Sequence, residues 1–152
     1  MATTPAQTHI RIGELARRVG ATPRTVRYYE ELGLLPGRGR RHGTHRLYDA
    51  ADEARLADLI RTRDLLGLSL ADLRAWAAAE ETRAALRERW YADPTDADRA
   101  QIAAEAREPL DTQLALVRAR RAALEELEDE LVSKRRRMRE VLRELDDDPS
   151  AS

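Results

Sequence analysis

A seven-residue recurrence of apolar side chains near the C-terminus constrains this chain more than any other feature. The recurrence predicts one continuous helix with an apolar stripe over residues 110–146. Arg121, Glu128 and Arg135 interrupt the stripe with charge, so it is not a uniform leucine zipper. The unbroken apolar line consists of Leu110, Val117, Leu124, Leu131, Met138 and Leu145, with Leu114 on the same face.

The length of this helix indicates that it needs a partner. The 36 residues from Leu110 to Leu145 would extend about 54 Å at a rise of about 1.5 Å per residue. A compact chain of 152 residues has a diameter of only about 40 Å. We therefore expect a homodimer paired through the seven apolar residues named above, since a second copy is the simplest partner. The alternative is a helical hairpin, in which the helix folds back on residues 81–107.

Charge is distributed unevenly along the chain. Residues 1–48 hold nine Arg and three Glu, whereas residues 76–152 hold 14 basic and 19 acidic side chains. A basic N-terminal part favours an anionic partner. The chain has no cysteine, which excludes a disulfide scaffold and thiolate metal sites. We found no signal peptide and no membrane helix, so we expect a cytoplasmic protein with no membrane partner.

Two short helices separated by a tight turn are predicted near the N-terminus. Ile12, Leu15, Ala16 and Val19 have helical spacing, and Gly20 ends that helix. Thr22 is expected to cap the second helix, in which Pro23 occupies the first position. This arrangement is typical of a helix-turn-helix.

The segment PGRGRRHGTHRLYD is rich in Gly and Arg and predicts a two-stranded hairpin, or wing. Two further helices are expected after it. The first is capped by Asp49 and ended by Gly67, and the second begins with Ser69 and carries Leu70, Leu73, Trp76 and Ala77. The pattern changes after Ala79, so we place a boundary there.

The second helix presents the best candidates for DNA contact. Val26, Tyr29 and Leu32 should face inward, which leaves Arg24, Arg27 and Tyr28 outward. The N-terminal part of such a helix reads bases, so Arg24 and Thr25 are predicted to contact bases beside the cap Thr22. Arg27 and Tyr28 are predicted to hold the DNA backbone.

The wing and its flanks supply the other candidates. His42 and His45 have a spacing that occurs at metal sites, but the surrounding arginines and the lack of nearby carboxylates favour DNA contact instead. No nucleophile with a base partner and no phosphate-binding loop is present, so we expect neither an enzyme nor a bound cofactor or metal. The predicted wing contacts to DNA are Arg40, Arg41, His42, His45 and Arg46.

Residues 10–75 resemble the DNA-binding domain of the MerR family of transcriptional regulators. The most specific pieces are TVRYYEELGLL, GTHRLYD and LIRTRDLLGLSLADL, in that order. The resemblance implies a mainly α fold, with a winged helix-turn-helix domain followed by a long dimerisation helix in an antiparallel coiled coil. It assigns backbone contacts to Arg27, Tyr28 and the wing arginines, and adds Arg63 as a phosphate contact. His45 departs from the family pattern, which often has Tyr at that position.

The resemblance also implies a mechanism and a set of partners. Family members bind a palindrome in promoter DNA as homodimers, and they bend and untwist the DNA so that RNA polymerase can use it. We divide the chain into a DNA-binding domain (10–79), a helical linker or effector region (80–109) and a dimerisation helix (110–146). The alternatives are an architectural DNA-binding protein, or a coiled-coil adaptor that would leave the basic N-terminal part unexplained.

Three aromatic residues lie between the two main parts of the chain and have two interpretations. Trp76, Trp90 and Tyr91 are the only aromatic residues beyond residue 48. They are candidates for a pocket that binds an apolar or cationic small molecule. The alternative, which we favour, is that these rings only pack at the junction.

Overall fold

In a computed structural model of the chain, the structure describes residues 9–35, 41–42 and 45–147. The elements in chain order are β1 (Ile10–Arg11), α1 (Ile12–Arg18), α2 (Pro23–Glu31), β2 (Arg41–His42), β3 (His45–Tyr48), α3 (Ala50–Leu66), α4 (Leu70–Tyr91), α5 (Asp96–Glu105) and α6 (Arg107–Asp146). The mainly α fold class is confirmed, with the helix-turn-helix, the wing and the long final helix in the predicted order. The chain divides into two compact units, residues 1–112 and 113–152.

The sheet has three strands in the order β1-β3-β2, and both pairings are antiparallel. The predicted wing hairpin is confirmed, since Arg41 pairs with Arg46 and His42 with His45. The additional strand β1 was not predicted. It pairs Ile10 with Tyr48, which ties the start of the helix-turn-helix to the base of the wing.

The core of the first unit joins the helix-turn-helix to the two helices that follow the wing. Leu15, Val26 and Tyr29 from α1 and α2 are fully buried together with Leu56 of α3. Leu73 and Ala77 of α4 complete this cluster, and Trp76 packs against it. Leu70 was expected on the inner face of α4, but it is 39% exposed because it lies in the first turn, outside the packed stretch.

The predicted helix boundaries are set by local caps. Asp49 and Asp52 form a reciprocal capping box at the start of α3, and Gly67 ends that helix in the left-handed conformation (φ 62°). Ser69 accepts a hydrogen bond from the Asp72 amide at the start of α4. Thr95 and Asp98 form a second capping box at α5.

The boundary predicted at residue 79 falls inside a helix. α4 continues without interruption for 22 residues to Tyr91, so the segment ETRAALRERWY is the second half of α4 and not a separate short helix. The prediction relied on the fading apolar pattern. Residues 80–91 contain no Gly or Pro, and their Ala, Glu and Arg side chains favour helix.

α6 is a single helix of 40 residues, about 60 Å long. It begins at Arg107, three residues before the predicted start, and Pro109 lies in its first turn, where a missing backbone N–H is tolerated. The predicted dimerisation residues are all exposed in the single chain, from 40% for Val117 to 65% for Leu145. The helix therefore leaves an apolar face without a partner among the described residues.

Candidate nucleic-acid interface

The N-terminus of α2 is held by a side-chain cap. The Thr22 hydroxyl oxygen accepts a hydrogen bond from the Thr25 amide at 3.1 Å, and the two threonine hydroxyls are 2.9 Å apart. Pro23 follows as the first helical residue. The Thr25 hydroxyl is therefore hydrogen-bonded to Thr22, which leaves its methyl group and its remaining hydrogen-bonding capacity for contact with a base.

The buried and the exposed face of α2 carry the predicted residues. Val26 and Tyr29 are fully buried, while Arg24, Arg27 and Tyr28 are exposed. The Tyr28 ring stands edge-on to Tyr29, with the ring centroids 6.3 Å apart. This packing fixes Tyr28 on the outer surface, with its hydroxyl available to a ligand.

Electrostatics distinguish α2 from α1. Arg17 and Arg18 both pair with Glu14, at 2.5 and 2.8 Å, and Arg18 also reaches Glu53 at 3.1 Å. The hydrogen bonds from Arg18 and then Arg17 hold the pKa of Glu14 below its ordinary value. Both arginines of α1 therefore have an acidic partner within the protein.

By contrast, Arg24 and Arg27 form no ion pair with any described residue. Arg24 lies in the first turn of α2, where the helix dipole favours anions, and Arg27 is the middle residue of the helix. The positive potential is therefore concentrated where the recognition helix begins. This position suits phosphate oxygens and the acceptor groups of base edges.

Arg63 lies next to α2 from the side of α3. Its guanidinium is 5.9 Å from the centre of the Tyr29 ring, and its Nε and Nη2 donate to Asp64 at 3.0 and 2.8 Å. Hydrogen bonding to Asp64 raises the pKa of Arg63, and burial raises the pKa of Tyr29. A phosphate contact from Arg63 stays a prediction, and it would use the donors that Asp64 leaves free.

The wing residues are described only in part. Arg41, His42, His45 and Arg46 lie on β2 and β3, but their side chains are outside the described part of the structure. Arg40 lies entirely outside the described residues. Their contacts to DNA stay predictions.

Two contacts that the sequence did not reveal connect the recognition helix to its surroundings. The Tyr48 hydroxyl, at the end of β3, donates to Glu30 of α2 at 2.9 Å. Arg55 of α3 donates from Nε to the Leu34 carbonyl at 2.8 Å, and its guanidinium is 3.3 Å from Glu81 of α4. Both are long-range pairings that leave no periodic signal in the sequence, so only the fold reveals them.

The three aromatic residues proposed for an effector pocket do not come together within the chain. Trp76 packs against the core of the first unit, whereas Trp90 and Tyr91 are 42% and 80% exposed. Fourteen residues of continuous helix separate Trp76 from Trp90, about 21 Å along the axis. Trp90 instead lies 5.9 Å from the Arg99 guanidinium, beside the ion pair of Arg89 and Glu105.

Two further kinds of feature, metal sites and membrane-spanning helices, concern the described residues as a whole. No group of three or more His, Asp or Glu side chains there is arranged to hold a metal ion. No helix in the described ranges is both long enough and apolar enough to span a membrane.

Comparison with known proteins identifies the family. The profile of the MerR HTH family regulatory proteins matches residues 10–80. The HTH-type transcriptional regulator YfmP of Bacillus subtilis is 33% identical over 108 residues, which cover 71% of this chain and 77% of that protein. The chain belongs to the MerR family.

Two further relatives of this MerR-family chain differ in how much they share with it. The nodulation protein NolA of Bradyrhizobium diazoefficiens is 42% identical over 71 residues, but these make up 47% of this chain and only 30% of NolA. The crystal structure of a MerR-family transcriptional regulator from Bacillus cereus aligns over 95% of this chain and 88% of that one, with a TM-score of 0.50 and 19% identity. The latter supports the fold alone.

This MerR regulator is therefore a transcriptional regulator with a helix-turn-helix DNA-binding domain. The matching family is described as one of regulatory proteins, and YfmP is named a transcriptional regulator. The matched region contains the whole helix-turn-helix, the wing and α3, together with the first half of α4.

Proposed function

We propose that this protein binds promoter DNA as a homodimer and controls transcription initiation by distorting that DNA. The observation that carries the proposal is the contrast between α1 and α2. The arginines of α1 form ion pairs with Glu14 and Glu53, whereas Arg24 and Arg27 of α2 are exposed without an ion-pair partner among the described residues. An anionic ligand at the start of α2 supplies the missing charge.

Within this proposal, the residues of α2 have different roles in binding DNA. Arg24 and the Thr25 methyl group contact base edges, and Thr22 holds the helix terminus in place. Arg27 and Tyr28 contact phosphates, together with Arg63 and the wing residues Arg40, Arg41, His42, His45 and Arg46. RNA polymerase is the further partner, reached through the distorted promoter.

A homodimer is required for this mechanism, because one helix-turn-helix grips only half of a palindromic site. The exposed apolar face of α6 supports dimerisation, with Leu110, Leu114, Val117, Leu124, Leu131, Met138 and Leu145 as the pairing residues. Two helix-turn-helix domains held at a fixed spacing can bend and untwist the DNA between them. The energy of that deformation depends on the sequence of the DNA.

A DNA titration at several salt concentrations tests the proposal. If each subunit makes about 3 to 5 phosphate contacts, the slope of log affinity against log salt should be about −5 to −9. Arg27→Ala should weaken binding to all sequences and reduce the slope, whereas Arg24→Ala should also reduce discrimination between sites.

The matched control is Arg87→Ala, which removes one exposed charge from α4 and leaves α2 unchanged. It should leave the slope and the affinity close to those of the unaltered chain. A slope near zero, or an equal loss for Arg27→Ala and Arg87→Ala, would contradict a DNA interface on α2.

A further inference from the structure

Two of the side chains proposed to bind phosphate border the same buried ring. The Tyr28 ring stands edge-on to the Tyr29 ring, with the centroids 6.3 Å apart, and the Arg63 guanidinium lies 5.9 Å from the centre of the Tyr29 ring. Tyr28 belongs to α2 and Arg63 to the last turn of α3. The Tyr29 ring therefore adjoins proposed phosphate contacts from both helices.

The Tyr29 hydroxyl is an unsatisfied polar group. The side chain is fully buried, and its hydroxyl has no hydrogen-bond partner among the described residues. Burial raises the pKa of Tyr29, and the nearby positive charge of Arg63 opposes this shift. A buried hydroxyl without a partner is unfavourable, so the free protein gains no stability from this group.

Arg63 is held by its neighbour Asp64 through one edge of its guanidinium. Nε and Nη2 donate at 3.0 and 2.8 Å, and both hydrogen bonds go to the same carboxylate oxygen, Oδ1. No hydrogen bond from Nη1 is found within the described part of the chain. The Arg63 and Asp64 side chains are 39% and 61% exposed, and an exposed ion pair of this kind is weak.

A DNA phosphate is a better ligand for the same edge of Arg63. It offers two oxygens to the Nε and Nη2 donors, whereas Asp64 offers only one, and two parallel hydrogen bonds are stronger than two that share an acceptor. The Asp64 carboxylate would also repel a phosphate bound beside it, because the two charges have the same sign. Phosphate and Asp64 are therefore alternative partners of Arg63.

We propose that Asp64 is an internal competitor of DNA, which occupies in the free protein the Arg63 donors that a phosphate takes in the complex. This inference rests on the DNA binding proposed above and concerns how one of its contacts is made. An approaching phosphate first meets the donors that Asp64 leaves free, and then displaces Asp64 from the Nε and Nη2 edge. Nη1 then donates to the Tyr29 hydroxyl, which gains the partner it lacks. Tyr29 is thus a positioning residue for Arg63.

The exchange lowers the affinity for DNA of any sequence. Each subunit breaks the contact between Arg63 and Asp64 before Arg63 binds the DNA backbone, and backbone contacts carry no sequence information. Asp64 therefore weakens the sequence-independent part of DNA binding. The base contacts of α2 then supply a larger share of the total affinity.

Asp64→Asn tests the competition, because it keeps the shape of the side chain and removes the charge that holds Arg63. The probe is a fluorescently labelled DNA duplex of mixed sequence, titrated with the full chain at several salt concentrations. We expect the affinity to rise about three- to tenfold, since each subunit of the dimer releases one exposed ion pair. The slope of log affinity against log salt should change by less than about one unit, because Arg63 contacts phosphate in both proteins.

The matched control is Asp58→Asn. Asp58 also lies on α3, is exposed and pairs with an arginine, Arg61, at 3.0 Å, so this variant changes the net charge equally. Its affinity should rise by about twofold at most, since screening weakens the effect of a distant exposed charge. In an Arg63→Ala background, Asp64→Asn should give no larger gain than Asp58→Asn.

Two results of this comparison would overturn the proposal. One is an equal gain from Asp64→Asn and Asp58→Asn in the presence of Arg63, which would mean that Asp64 acts only through its general charge. The other is a loss of affinity for Asp64→Asn, which would mean that Asp64 supports the phosphate contact of Arg63.

Tyr29→Phe gives a second measurement, because it removes only the hydroxyl. The melting temperature of the free protein should stay the same or rise, since that hydroxyl has no partner there. The DNA affinity should nevertheless fall about threefold or more, and this loss should disappear in the Arg63→Ala background. A lower melting temperature or an unchanged DNA affinity would overturn the role of Tyr29.

The same titrations separate this inference from the proposed function. A slope near zero for the unaltered chain would contradict DNA binding itself. A steep slope with equal affinities for the unaltered chain and Asp64→Asn would leave DNA binding intact and overturn the competition alone.

Discussion

At the residue scale, the contact between Tyr48 and Glu30 connects the recognition helix to the wing. The wing strand β3 and α2 are separate in sequence, and this hydrogen bond of 2.9 Å is partly buried. Since both elements contact the DNA in the proposed complex, this hydrogen bond would fix the position of one relative to the other. Its loss should therefore affect binding as well as stability.

We predict that Tyr48→Phe lowers the free energy of unfolding by about 1–2 kcal/mol, because the Glu30 carboxylate loses a partly buried donor. DNA affinity should fall with it. Thermal unfolding and DNA titration measure the two effects. Tyr28→Phe is the control for stability, since the Tyr28 side chain is 47% exposed. A Tyr48→Phe protein with unchanged stability and affinity would show that the hydroxyl is dispensable.

At the element scale, helix starts were predictable and helix lengths less so. Thr22, Asp49 and Ser69 each cap a helix as expected, because a cap depends on residues within three positions of one another. The full length of α4 was not predicted, because the apolar period fades after Ala79, before the helix ends. The residues that follow contain no helix breaker, so the helix continues. Strand β1 was missed because two residues are too few to show a period.

The candidate site also has features that were predictable from the sequence and features that were not. The outward face of α2 followed from the spacing of Val26 and Tyr29, which local periodicity fixes. The pairing of Arg18 with Glu53 depends on the packing of α3 against α1, and the position of Arg63 over Tyr29 depends on the packing of α3 against α2. Such contacts between distant residues have no pattern in a single sequence.

The capping box of α5 gives a prediction about pH. Hydrogen bonds from the Thr95 side chain and backbone lower the pKa of Asp98 from its ordinary 3.8, and Arg89 lowers the pKa of Glu105. Because both folded-state values are depressed, the stabilisation is present above the unfolded-state values and is lost as the pH falls through the folded-state values. The turn between α4 and α5 should therefore loosen in acid.

Trp90 can report this change, since its ring lies near Arg99 of α5. In a Trp76→Phe background, Trp90 emission should change as the pH falls below about 4. Asp98→Asn should reduce this acid-induced change in Trp90 emission, because its side chain at position 98 no longer titrates. An identical acid profile with and without Asp98 would mean that the capping box does not control this region.

At the scale of the whole molecule, the exposed face of α6 predicts how the chain associates. Leu131 is 56% exposed in the single chain and lies in the middle of the apolar line. Leu131→Asp would enclose a charge against apolar partners, at a cost of several kcal/mol. We expect the unaltered chain to scatter light with twice its mass of 17.2 kDa and the variant to dissociate.

The control for this experiment is an equivalent change away from the apolar line. Ser133→Asp also adds one negative charge to the same part of α6, and it lies on the outer face by spacing. It should leave the dimer intact. If light scattering gives the same mass for both variants, the apolar line is not the interface.

The uninterrupted course of α4 has a mechanical consequence for regulation. One end of this helix carries Leu73 and Ala77 in the core beneath the recognition helix, and the other end carries Trp90. A helix of 22 residues is a stiff rod of about 33 Å, so a displacement at the Trp90 end tilts the rod as one piece. Glu81, halfway along, would carry that tilt to Arg55 and through it to the Leu34 carbonyl at the entrance of the wing. α4 would therefore transmit a displacement at its Trp90 end to the chain segment that joins the recognition helix to the wing.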